Sequence, residues 1–222
     1  MRTTVSADTG RPSLRGKIHR TSVLFIGACT TFSLVACGGA VQAEETVLSP
    51  APETTEVVIV DLGVSDEAAA WTTMNDPVMG GRSTSEVAFD DGGLRFSGII
   101  SLDNNGGFAS TRGPLDPDIG RKAAGARSFG VRAEGDGKTY LLKVRDSAQP
   151  WSYVQRFATE AGAVRTYDLP VDRFEPVGMR LDPAPDAPKI LDPSTIDQAA
   201  IYILDKQQGP FQITIDGITA AT

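Results

Sequence analysis

From Val57 onward the chain runs as short β-branched or aromatic stretches separated by Gly, Pro, Asn and Asp. In several of them apolar residues take every second position: Leu94/Phe96, Phe129/Val131/Ala133, Tyr140/Leu142/Val144 and Phe211/Ile213/Ile215. A period of two places successive apolar side chains on one face of a strand, so each of these stretches has one face in a core. The pattern predicts strands over residues 57–62, 83–89, 94–102, 107–112, 127–133, 139–145, 152–159, 164–169, 199–204 and 211–215. The turns between them, such as Asp90-Asp91-Gly92-Gly93, Asn104-Asn105-Gly106-Gly107 and Gly135-Asp136-Gly137, supply residues that tolerate positive φ. The last reads as a hairpin turn. Helix is scarce: residues 65–70, opened by Ser65 and Asp66, and residues 194–198 each predict about a turn. Many short strands with regular turns predict an all-β fold, an antiparallel β-sandwich or jelly roll.

The amino-terminal segment follows different rules. Residues 1–20 are basic, residues 21–36 are apolar or small and carry no charge, and Leu34-Val35-Ala36-Cys37 closes the run. This is the layout of a secretory signal peptide ending in what resembles a bacterial lipobox. A mitochondrial transit peptide would be amphipathic through the region that is uncharged here, and an uncleaved anchor would need a longer apolar run. The expectation is cleavage before Cys37, lipidation of its sulfur, and stable attachment to the extracytoplasmic face of a cell membrane. Residues 37–56, rich in Pro, Glu, Thr and Ala, then form a flexible tether, and residues 57–222 form one domain.

Removing the leader changes the chemistry on offer. It takes away His19, Cys29, five basic residues and one acid from a chain of 222 with 21 basic and 28 acidic residues. What is left has no histidine, Cys37 as its one cysteine, and 16 basic against 27 acidic residues, a charge of −11. Histidine-dependent nucleophilic catalysis, a zinc site and a disulfide framework are excluded. Net acidity opposes nucleic acid as a partner. No metal or other cofactor is expected: Asp103 and the Asp116/Asp118 pair lack the oxygen spacing of a calcium loop. Gly135-Asp136-Gly137-Lys138-Thr139 is not a phosphate loop, because Arg132 stands where the first glycine belongs and a strand pattern follows.

One stretch stands out, Trp71-Thr72-Thr73-Met74-Asn75-Asp76-Pro77-Val78-Met79-Gly80-Gly81-Arg82-Ser83. It resembles the signature of the complex I intermediate-associated protein 30 family. Four further blocks agree in order: Phe96-Ser97-Gly98 with Asn104 to Ser110, Gly135 to Tyr140, Leu169-Pro170 with Phe174, and Asp205 to Phe211. The resemblance implies a galactose-binding-like jelly roll that binds rather than catalyses, with relatives that assist assembly of respiratory complex I. Two departures stand against direct transfer: the lipoprotein-like leader, and Glu175-Pro176-Val177 followed by a Pro-rich loop where the family has an Arg-Gly pair.

Two readings remain open for most candidate site residues. Asn75, Asp76 and Ser83 are either ligand contacts at the rim of the sandwich or a turn held by side-chain hydrogen bonds, with Met79 filling core. Trp71 is either core or a sugar-stacking platform. Arg132, Lys143, Arg145, Tyr153 and Gln155 sit at polar positions of strands, either as a binding face or as an ordinary solvated one. Asp205 and Lys206 are either a local pair or partner contacts. The function expected is a non-enzymatic, membrane-anchored binding or assembly module acting on a protein partner, with a carbohydrate-binding module as the alternative and a carboxylate-, Tyr- or Lys-based enzyme third.

Overall fold

The computed structural model describes residues 54–76 and 80–222. Cys37, the leader, most of the predicted tether and Met79 lie outside the described residues. The twelve strands are β1 (Glu56–Asp61), β2 (Thr72–Asn75), β3 (Thr84–Asp90), β4 (Gly93–Ile100), β5 (Ala109–Arg112), β6 (Ser128–Glu134), β7 (Thr139–Arg145), β8 (Ser152–Ala158), β9 (Val164–Pro170), β10 (Glu175–Val177), β11 (Gln198–Ile203) and β12 (Gly209–Ala221). Among the described residues helix is confined to α1 (Ser65–Ala69), α2 (Asp118–Ala123) and isolated 3-10 turns. The strands form two six-stranded antiparallel sheets. Sheet I runs β3-β4-β12-β6-β9, with β1 also on β12, and sheet II runs β10-β8-β7-β11-β5-β2.

The long β12 organises sheet I. One edge pairs with β6; the other is shared, Gly209–Ile215 on β4 and Gly217–Ala221 on β1, with a register shift between Ile215 and Gly217. Alternation along the strands decides what the core contains. Phe96, Phe129, Val131, Ile213 and Ile215 of sheet I face Tyr140, Leu142, Ala199, Ile201 and Ile203 of sheet II, all 2% exposed or less. Edge-to-face contacts between Phe96 and Phe211 (ring centroids 4.9 Å) and between Phe129 and Phe174 (5.7 Å) fix the packing of sheet I rings. Each such ring buried against the opposite sheet removes enough apolar surface to contribute about 1.5–3 kcal/mol.

Three local expectations need correction. β6 belongs to sheet I and β7 to sheet II, so Gly135-Asp136-Gly137 is an arch between sheets and not a hairpin turn. The arch is tied down by Asp136, whose carboxylate accepts from Lys138 N (3.0 Å) and Gln212 N (3.0 Å). The turn of helix predicted over residues 194–198 shrinks to a 3-10 turn, Pro193–Thr195, with Asp192 capping Ser194 N at 3.0 Å, and Gln198 opens β11 instead. Residues 57–222 were the expected domain; ordered pairing begins one residue earlier, with Glu56 opposite Ala221.

Candidate functional site

The signature residues around Asp76 form a loop joint. Asp76 and Ser83 are 1% and 0% exposed. The Asp76 carboxylate accepts four hydrogen bonds, from Ser83 N (2.7 Å), Ser83 Oγ (2.5 Å), Gly107 N (2.6 Å) and Phe108 N (3.3 Å). It thereby ties the loop after β2 to the loop before β5, about thirty residues on. One glycine of each block is explained by this carboxylate. A Cβ on Gly81 would stand 2.4 Å from Asp76 Cγ, and one on Gly106 would stand 2.6 Å from Asp76 Oδ2. Asn104, at φ 54°, donates from its side-chain amide to Gly80 O at 3.1 Å and closes the joint. Burial pushes the Asp76 carboxyl up, but the bonds from Ser83, Gly107 and Phe108 outweigh it and hold it below its ordinary 3.8. Asn75 is occupied with the Ser85 hydroxyl at 2.6 Å. The Asp76 carboxylate and the Ser83 hydroxyl are thus committed to partners within the chain.

The other signature blocks also hold loops. Gln207 accepts from Thr139 N (2.9 Å) and donates to Thr139 O (2.7 Å) and Leu204 O (2.9 Å). Asp205, at φ 64°, makes a two-pronged ion pair with Arg156 (2.8 and 2.9 Å), while Lys206 sits exposed at φ 58° in the same turn. Trp71 is 4% exposed in the core, with Gly113 against its indole.

The polar strand residues divide between places. Arg132 is on the outer face of sheet I, paired with Asp216 at 2.9 Å. Tyr153 and Gln155 are in register with Val144 and Leu142 and so face inward; Tyr153 donates from its hydroxyl to Pro188 O at 2.9 Å. Only Lys143 and Arg145 share the outer face of sheet II. There the pairing brings them together with residues that alternation alone did not single out. Ala200 on β11 stands opposite both Arg112 on β5 and Lys143 on β7, and Gln198 stands opposite Arg145. The result is a notch of about 40 Å³ floored by Ala200 and walled by Arg112, Lys143, Arg145, Gln198 and Tyr202. Lys143 Nζ lies 5.6 Å from the centre of the Tyr202 ring.

The notch is cationic without a counter-charge. Arg112, Lys143 and Arg145 take part in none of the ion pairs among the described residues. Arg145 Nε is buried with no hydrogen-bond partner, although the same guanidinium donates to Ser147 O at 3.4 Å. Burial lowers the Lys143 pKa, and Arg145 and Arg112 push it further in the same direction. Next to the notch on the same face, Leu141, Val154, Val177, Leu181 and Leu204 line a groove of about 560 Å³, roofed by the Pro-rich loop that follows β10. Among the described residues no group of three or more His, Cys, Asp and Glu is placed to hold a metal ion.

Two antiparallel sheets packed face to face, with loop joints at the ends and a cationic notch on one outer face, define a galactose-binding-like jelly roll. The family model of Complex I intermediate-associated protein 30 (CIA30) matches residues 60–215, and the chain belongs to that family. Among solved structures, it is similar to the family 11 carbohydrate-binding module of the cellulosomal cellulase Lic26A-Cel5E of Clostridium thermocellum. That likeness is 15% identity and a TM-score of 0.52, covering 75% of this chain and 94% of that one. The family 11 module from Clostridium thermocellum in complex with a β-1,3-1,4-mixed-linked tetrasaccharide is 17% identical, with a TM-score of 0.49 and coverage of 68% and 88%. No curated protein matches the chain.

Proposed function

We propose that this protein is a non-enzymatic binding module that holds a protein partner on the outer face of sheet II. In this reading it is attached through lipidated Cys37 to the extracytoplasmic side of a cell membrane and acts in assembly of an envelope complex. The observation that carries it is the pairing, on one sheet face, of an uncompensated cationic notch with an apolar groove. Side-by-side charge and apolar surface suits a folded or extended protein segment. The notch walls bind and orient but include neither a carboxylate nor an imidazole. Sugar recognition by stacking is poorly served on this face, since Lys143 stands over Tyr202 and Trp71 is in the core.

Photo-crosslinking in intact membranes tests the proposal. A photoreactive side chain at Thr72, in register with Arg112 on sheet II, is expected to yield a discrete protein adduct, and one at Thr166, in register with Arg132 on sheet I, none. Equal labelling from both sheets, or from neither, refutes it. The membrane anchor is tested separately by mass spectrometry of the N-terminal peptide, where an unmodified Cys37 removes it.

A second reading, recognition of an envelope or extracellular glycan on the same face, is favoured by the fold shared with the family 11 module. Binding to a neutral glycan array that disappears in an Arg112→Met variant would establish it in place of the protein partner.

A further inference from the structure

The notch over Ala200 is narrow, and its size limits its occupant. At about 40 Å³ it is far smaller than the neighbouring groove of about 560 Å³, and suits a small polar group better than a bulky side chain. Its walls carry the Arg112 and Arg145 guanidiniums and the Lys143 ammonium, together with Gln198 and Tyr202; the Nε–H of the Arg145 guanidinium is buried with no partner. Gln198 is partly committed, its Nε2 donating to Gly113 O at 2.8 Å. A carboxylate or similar oxyanion supplies the missing counter-charge and accepts from the guanidinium and ammonium groups of the walls. Lys143 and Arg145 are half-buried beside the exposed Arg112, and keeping these like charges adjacent is costly unless something compensates them.

The groove lies at a defined offset. Lys143 on β7 is in register with Val154 on β8, so Ala200, Lys143 and Val154 form one row across three strands. Two interstrand spacings put the apolar wall about 10 Å from the notch floor. In an extended polyproline-type segment, with three residues per turn and about 3.1 Å per residue, side chains at i and i+3 share a face about 9 Å apart.

We infer that the Ala200 notch is a single-carboxylate site for an acidic residue of an extended partner segment whose residue three positions away fills the neighbouring apolar groove. This rests on the protein-partner reading above and specifies what that face recognises. Charge selects the segment and the groove sets its register. Ala200 acts through its small size: a larger side chain there fills the notch without altering any charge.

The test uses the full-length lipidated protein in detergent and two fluorescein-labelled peptides, Glu-Ala-Pro-Leu and its Gln-Ala-Pro-Leu twin, followed by anisotropy. The Glu peptide should bind at least about tenfold more tightly than the Gln twin, since a charge-assisted hydrogen bond contributes at least one such factor, and more weakly as salt rises. Ala200→Leu, Arg112→Met and Lys143→Met should each reduce the Glu peptide to the level of the Gln twin, while Arg132→Met on sheet I changes nothing. Unfolding midpoints establish that each variant is folded; Arg112 is exposed, so its variant stands even if the others do not. Equal binding of the two peptides, or no binding of either up to about 1 mM, overturns the inference. So does tighter binding of an oligogalacturonate that is lost in the same variants, which would make the carboxylate a sugar's. If sheet II crosslinking persists while the twins bind equally, the notch assignment fails and the binding face stands.

Discussion

Replacing Asp76 gives the sharpest test of how this fold is held. In Asp76→Ala, the backbone N–H groups of Ser83, Gly107 and Phe108 and the Ser83 hydroxyl lose their shared acceptor in a joint that is buried at Asp76 and Ser83 and partly buried at Gly107 and Phe108. An unsatisfied buried donor costs about 1–3 kcal/mol, and some relaxation and water entry are unavoidable, so the expected loss is about 3–5 kcal/mol. For a domain of this size that lowers Tm by roughly 6–20 °C. Asp76→Asn keeps an oxygen for Ser83 N, but its NH2 then faces the Gly107 and Phe108 donors, and a loss of about 2–3 kcal/mol is expected. Urea unfolding followed by circular dichroism measures both. The pH dependence has a definite sign. The folded-state pKa is below 3.8, so the stabilisation is present above the ordinary carboxylate range and disappears as pH falls through 3.8 toward the folded value. Asp76→Asn should lack that acid-limb component. If both variants unfold within about 0.5 kcal/mol of the parent at neutral pH, the joint does not carry the stability argued for it.

Gly81→Ala should cost about 2–4 kcal/mol through its clash with Asp76, and much less in an Asp76→Ala background where the obstructing carboxylate is gone; additive losses in urea unfolding would contradict the contact. Gln207→Ala removes two hydrogen bonds from the β11–β12 turn to Thr139 of β7 and one within the turn to Leu204 O, and should lower stability by about 1–3 kcal/mol by the same measurement. Arg156→Met breaks a pair whose members are 47% and 39% exposed, so less than about 1 kcal/mol is expected, vanishing at high salt. Lys143, held low by burial and by Arg145 and Arg112, should titrate below the other lysines when its ammonium is followed by NMR after reductive methylation; Arg145→Met should move it upward, and no change would refute the proximity.

The strand pattern was legible where burial is one-sided. Tyr140/Leu142/Val144 and Phe211/Ile213/Ile215 alternate because sheet geometry presents every second residue to the core, and both segments are strands. The strands not anticipated lack that signal. β2 is Thr72-Thr73-Met74-Asn75 on a sheet edge with no buried side, and β10 is three residues around Pro176. α2 follows Pro117, lacks a side-chain cap and spans only six residues, too few for helical periodicity to show. The turn at Gly135 was legible as a turn but not as an arch, since local sequence does not say which sheet the next strand joins. The notch was largely illegible for the same reason. Arg112 and Lys143 are brought to either side of Ala200 by strand register between segments far apart in the chain. Gln198 was hidden inside a predicted helical turn, and two of Asp76's partners, Gly107 and Phe108, lie about thirty residues beyond it.

The residues that reveal the family and the residues that could bind are therefore different sets. Asp76, Ser83, Gly81, Gly106, Gln207 and Asp136 are held by loop geometry, and in this chain their polar groups serve the fold. Arg112, Lys143, Arg145 and Ala200 occupy an outer sheet face where the core imposes nothing on side-chain identity, so their chemistry is free to follow a ligand. Their sign runs against the rest of the molecule. A chain with seven more acids than bases overall keeps three cations together, and among the described residues no acid forms an ion pair with them. Such a field repels cationic and attracts anionic surfaces only at close range, within the roughly 8–10 Å over which salt leaves charge unscreened. Long-range steering by the acidic whole and short-range capture by the notch then oppose each other for a highly charged anion. A partner with one or two carboxylates and apolar neighbours escapes most of that repulsion, and the face beside the groove selects for it.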